Sequence, residues 1–205
     1  MHILIDSGHG GIVNGNYVTP GKRSPKWNDL PQLFEGVQNR EIANILKSKL
    51  AAANISFTDI VDSQTDVSRP TRIQRANTCY SIHKDAILVS IHADAAGKGT
   101  EDYPATGVSV YTSKGETKSD VLAEYVIEQL ELKLGSTVKW RFDSTDGDKD
   151  KEENFDMVAL TKCPAILCEL GFMTNRKECE LMHTPQWKEN CAEAIYQGIL
   201  KYYEV

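Results

Sequence analysis

The apolar run Ile3-Leu4-Ile5, followed at once by Asp6-Ser7-Gly8-His9-Gly10-Gly11, constrains the fold more than any other stretch of this chain. A strand that is apolar at every position, not at alternate ones, is buried on both faces, as in a parallel sheet covered by helices. In such sheets ligands sit beyond the carboxyl ends of the strands. Glycines in the turn let the backbone bend sharply and come close to whatever is held there. His9 is therefore a candidate site residue; a turn histidine without a role is the plain alternative.

The same pattern returns twice. Residues 86–91 form the cleanest strand of the chain, with His92 expected at its carboxyl end, and residues 165–168 form another, with Glu169 expected just past it. Pro164 introduces that last strand at a position where a missing donor is tolerable. Further strands are expected at 55–60 and 107–112. Apolar residues at helical spacing predict helices over 35–53, 71–83, 116–134, 176–182 and 186–203, with Gly135 closing the third. Strands alternating with helices imply an α/β fold, a mostly parallel twisted sheet flanked by helices on both faces. At 205 residues the chain is expected to be a single domain, 1–205, with no internal repeat or linker.

Two stretches resist this pattern. Residues 12–34 have no period and carry three prolines and two glycines. Structureless loops beyond roughly 15 residues are uncommon in compact domains and usually functional, so this one is expected either to wall a groove or simply to pack. Residues 143–153 carry six acids and two lysines without an apolar aliphatic side chain, which predicts a mobile surface loop. Its glycine and closing glutamate do not stand where a calcium loop needs them.

The formal net charge is −6, and no basic patch is apparent, which argues against nucleic acid or an anionic membrane as partner. No run approaches the roughly 18 apolar residues of a membrane span. No leader peptide is visible at the N-terminus, so secretion by the ordinary route is not expected. The cysteines, Cys79, Cys163, Cys168, Cys179 and Cys191, are odd in number and fall mostly in core elements. They read as free structural thiols, not as a disulfide framework or metal cluster.

Four groups able to reach a metal or a scissile bond thus fall at equivalent places: His9, His92 and Glu169 beyond strands, and Glu35 at a helix start with Asn39 one turn on. Glu35 alone is explained by the helix dipole. Together, two imidazoles and a carboxylate make a sound three-ligand zinc set, and a second carboxylate could take a proton from water. Period and spacing leave the substrate open. A nucleotide fold is disfavoured, since the first glycines lack GxGxxG spacing.

The motifs I5-D-S-G-H-G-G11, Glu35 with Asn39, Arg72 with Ala76-Asn77, S90-I-H-A93 and P164-A-I-L-C-E-L-G-F-M-T-N175, in this order and across nearly the whole chain, resemble the zinc-dependent N-acetylmuramoyl-L-alanine amidases of the type-3 family. The resemblance implies cleavage of the amide between N-acetylmuramic acid and the first L-alanine of the peptidoglycan stem. It implies one zinc per chain on His9, Glu35 and His92, Glu169 as catalytic carboxylate and general base, and supporting roles for Asn39 and Arg72. The stretch between Val138 and Phe155 is too short for the long occluding helix of some cell-division members. A bare catalytic domain without a leader or wall-binding repeat is similar to a phage or prophage endolysin, made in the cytoplasm, acting at the wall after release, and expected to be monomeric; a sporulation or wall-remodelling enzyme stays open beside it. A related zinc hydrolase of another amide, or an inactive wall-binding module, are the alternatives.

Overall fold

In the computed structural model, which describes residues 1–143, 145 and 147–204, the apolar runs become neighbours in one sheet. The six strands are β1 (His2–Ser7), β2 (Ser56–Asp59), β3 (Ala86–Asp94), β4 (Val108–Thr112), β5 (Lys151–Glu152) and β6 (Ala165–Phe172). Their order across the sheet is β2-β1-β3-β6-β4-β5. The first four of that order run parallel, β4 is antiparallel to β6, and β5 is parallel to β4. The sheet is therefore mixed but mostly parallel, as expected.

Alternation along the buried strands feeds two cores. Ile3, Ile5, Val89, Ile91, Ile166 and Cys168 point to one face, where α1 (Glu35–Ala52), α3 (Lys118–Leu134) and α6 (Pro185–Glu204) pack. Leu4, Leu88, Ala165 and Leu167 point to the other, covered by α2 (Arg69–Ile82) and α4 (Asp156–Ala159). A short helix, α5 (Arg176–Met182), follows β6. Ser68 caps α2, Thr117 and Asp120 form a capping box on α3, and Gly135 ends α3 with φ +55°, a conformation natural to glycine.

Two expectations about strand ends are corrected. His92 and Glu169 lie inside their strands, because β3 runs on to Asp94 and β6 to Phe172. The two strands hold each other in register through His92 and Glu169, and Ser109 of β4 pairs Glu169 from the other side, so the ladder continues past the apolar run. Apolarity marks where a strand is covered by helices; hydrogen bonding to neighbours decides where it stops.

The acidic stretch also departs from expectation. Asp150 is fully buried and accepts a hydrogen bond from Thr112 Oγ1 at 2.6 Å, Lys149 pairs with Glu131 at 2.7 Å, and Lys151–Glu152 joins the sheet edge. Backbone pairing and side-chain bonds to α3 and β4 supply the attachment that apolar residues lack here. For Ser144 and Asp146 the expected mobility lies outside the described residues.

Burying Asp150 has a consequence for pH. Burial, and then the charges of Asp148 and Asp120, push its carboxyl from 3.8 up to about 7 although Thr112 opposes them. A carboxyl raised in the fold leaves stability intact below its unfolded pKa and costs stability as pH rises through its folded pKa. The Asp150→Asn variant is expected to melt with the wild type at pH 4 and above it at pH 8, by about 2–4 °C for each kcal/mol recovered. Thermal melts at both pH values check this.

Candidate metal centre and active site

The glycine-rich turn after β1 is built to present His9. His9 adopts φ +66°, the left-handed region in which histidine is among the more tolerated non-glycine residues. Four bonds fix the turn: Gly8 N donates to Ile91 O at 3.0 Å, Asn39 Nδ2 to Gly8 O at 3.1 Å, Arg40 Nη1 to His9 O at 2.6 Å, and Gly10 N to Thr19 Oγ1 at 2.7 Å. Gly8 has no room for a side chain, since a Cβ there would stand 2.0 Å from Cε1 of His92.

Glu35 opens α1 and is only 1% exposed, so it is no mere dipole partner. Its Oε1 lies 3.0 Å from His92 Nδ1 and 3.2 Å from His9 Nε2, and the two imidazoles stand edge to face with centroids 5.1 Å apart. Burial pushes the Glu35 carboxyl upward, but the two imidazoles outweigh it and hold the group well below the ordinary carboxylate range. Glu35 Oε2 and His9 Nε2 are buried without a hydrogen-bond partner. Such orphaned acceptors are costly, and here they converge.

Glu169 completes the arrangement. Opposite His92 in the ladder, it sits on a strand about 4.8 Å away with its side chain on the same face. Its Oε2 is also buried without a partner. Burial, and then the charges of Glu35 and Asp94, raise its carboxyl well above the ordinary range. His9, His92 and Glu169 line a cleft of about 260 Å³, walled by Lys22, Phe155 and Met157 among others.

All four principal candidates therefore meet. Of the two supporting candidates, Asn39 holds the His9 turn, whereas Arg72 borders the cleft while its guanidinium is spent on Asp6. Arg72 Nη1 reaches both Asp6 oxygens at 2.9 and 2.8 Å, and Ser90 Oγ donates to the same carboxylate at 2.6 Å. Asp6 and Ser90 point to the face that carries His92, so this pair braces the floor beneath it. Removing one partner of a buried ion pair costs about 3–5 kcal/mol. Arg72→Ala is therefore expected to lower the melting temperature by about 6–20 °C, a loss read directly in a thermal melt.

Three further residues were not evident from the sequence. Lys22 Nζ lies 3.7 Å from Glu35 Oε2, Arg40 anchors the His9 carbonyl, and Arg141 pairs with Asp94 at 2.6 Å at the end of β3. Lys22 comes from the 12–34 loop, whose length alone signalled a role; part of that loop forms a small hairpin of residues 12–13 and 16–17. Nothing in local spacing marks Arg40 or Arg141.

His9, Glu35 and His92 each offer one ligand atom, all within 4.8 Å of one another. Two nitrogens and a carboxylate oxygen are a donor set that zinc accepts, with a position left open. The orphaned lone pairs and the glycine cradle fit a cation at this point.

The family model described as N-acetylmuramoyl-L-alanine amidase matches residues 3–201. Among curated relatives, an uncharacterized cell wall amidase of Bacillus anthracis is 28% identical over 98% of this chain and 35% of its own length. A probable cell wall amidase, LytH, of Staphylococcus saprophyticus is 26% identical over 98% of this chain and 58% of its own. The chain thus spans about a third to somewhat over half of these two relatives. A solved N-acetylmuramoyl-L-alanine amidase from Clostridium difficile 630 superposes with a TM-score of 0.77 at 28% identity, covering 99% of this chain and 96% of that one.

Proposed function

The chain belongs to the type-3 family of N-acetylmuramoyl-L-alanine amidases, and from that premise we propose that it hydrolyses the amide joining N-acetylmuramic acid to L-alanine in peptidoglycan, with zinc held by His9, Glu35 and His92. The observation that carries this is the convergence of ligand atoms from His9, Glu35 and His92 in an open cleft also lined by Glu169, whose Oε2 is buried without a hydrogen-bond partner. Zinc, when bound, polarises a carbonyl and lowers the pKa of water toward neutrality.

The remaining work falls to side chains of this chain. Glu169 is the general base: it takes the proton of the attacking water and returns it to the departing L-alanine nitrogen. Burial and the nearby charges of Glu35 and Asp94 disfavour its free charge, which suits a group that alternates between accepting and donating. Asn39 and Arg40 keep the His9 turn in place, and the Asp6–Arg72–Ser90 set keeps the sheet floor rigid, so the reacting groups are positioned before substrate arrives. Lys22 sets a positive charge at the rim, suited to a substrate carrying carboxylates. We place the enzyme's action at the cell wall.

Digestion of purified peptidoglycan, with dinitrophenyl labelling of newly freed amines, tests the bond cleaved. Labelled L-alanine, without new reducing sugars, is the expected product. New reducing ends, or amines only from later stem residues, would overturn the assignment.

A further inference from the structure

At the other end of the strands a second set of metal-ligating side chains meets. His2 opens β1, whose six residues carry the chain roughly 20 Å before the His9 turn. Cys79 lies in the last turn of α2 and His83 caps its C-terminus, four residues on and so on the same helical side. One ligand atom from each of the three lies within 4.8 Å of the others.

The local geometry suits a tetrahedral ion. His2 Nε2 and Cys79 Sγ are 3.5 Å apart, the edge expected between nitrogen and sulfur ligands bonded to zinc at about 2.0–2.1 and 2.3 Å. The His2 and His83 rings stack in parallel with centroids 3.9 Å apart, so the two imidazoles stand together at this point. Ser56 Oγ holds His2 Nδ1 at 2.8 Å, the kind of outer hydrogen bond that fixes the tautomer and aim of a ligating histidine. Thr58 Oγ1, 2.9 Å from Nε2 and 3.7 Å from Cys79 Sγ, is a hydroxyl that can turn away or serve as a further donor. A surface cleft of about 630 Å³ bordered by Thr58, Cys79 and His83 gives access.

We propose that His2, Cys79 and His83 form a second, structural site for a zinc-class divalent cation, tying β1 to the end of α2. Two imidazoles and a thiolate select such ions over magnesium or calcium. Occupancy adds one equivalent of metal to that of the cleft.

Cobalt(II) is the probe. A thiolate on cobalt gives an intense near-ultraviolet charge-transfer band, which the nitrogen and oxygen donors of His9, Glu35 and His92 cannot produce. The full chain bearing His92→Ala isolates the new site from the cleft, so the outcome is independent of the amidase assignment. Titration is expected to raise the band to saturation at one equivalent per chain. Cys79→Ser should abolish it, and His83→Ala, which leaves the thiol and lies past the helix, should weaken cobalt binding at least tenfold, with circular dichroism confirming that both variants fold. Absence of the band at two equivalents, its survival in Cys79→Ser, or unchanged affinity in His83→Ala would overturn the proposal.

Discussion

Replacing His92 with alanine is expected to remove the cleft metal and abolish amidase activity, by at least ~10³-fold, while the fold survives. His92 is one of three groups whose ligand atoms converge, and its Nδ1 contact to Glu35 at 3.0 Å shows how closely the set is drawn together. With only His9 and Glu35 left, the site offers zinc two protein ligands instead of three. Without the ion, water returns toward its bulk pKa of about 15.7 and offers almost no hydroxide at neutral pH. The imidazole is 11% exposed and rests against a turn, not in the apolar core, so its loss leaves the packing largely intact. Metal content by mass spectrometry, with activity on purified walls, reads both effects. Full cleft occupancy in this variant would remove His92 from the ligand set.

Glu169→Gln separates proton transfer from metal binding. Glutamine keeps the size of the side chain on β6 and loses its basicity. The variant is expected to fold, to keep its zinc and to bind wall fragments, yet to lose ~10²–10⁴-fold in turnover, the usual worth of general acid–base catalysis. The change also removes a buried carboxylate that burial, Glu35 and Asp94 all penalise, so its melting temperature should equal or exceed that of the wild type. A turnover loss accompanied by an equal loss of zinc would make Glu169 a ligand. Near-normal turnover would place the base elsewhere.

Much of this architecture was legible in the residues because burial on both faces leaves a plain mark. Ile3 to Ile5 is apolar throughout and 86–91 at every position but Ser90, and those runs are adjacent inner strands of the sheet. The helices were legible by period, 176–182 to the residue. What was not legible arises from partners remote in sequence. His92 and Glu169 look like residues past strand ends because polar side chains interrupt the apolar run, yet pairing between β3 and β6 carries both strands onward. Asp150 sits in a stretch too charged to pack by composition, and it is buried because Thr112, 38 residues away, gives it a hydrogen bond. The candidate site was visible as four polar groups that follow apolar runs or open a helix, and the resemblance assigned their roles. Arg40, Lys22 and Arg141 act on that site from positions that no motif marks.

The central claim is that zinc rests on His9, Glu35 and His92. Diffraction from crystals of the zinc-loaded protein, recorded just above and just below the zinc absorption edge, tests it most directly. The expected result is an anomalous peak, present only above the edge, within about 2.0–2.2 Å of one nitrogen from each histidine and one oxygen of Glu35. No peak in the cleft of a zinc-saturated crystal, or a peak bound by other groups, would contradict the account.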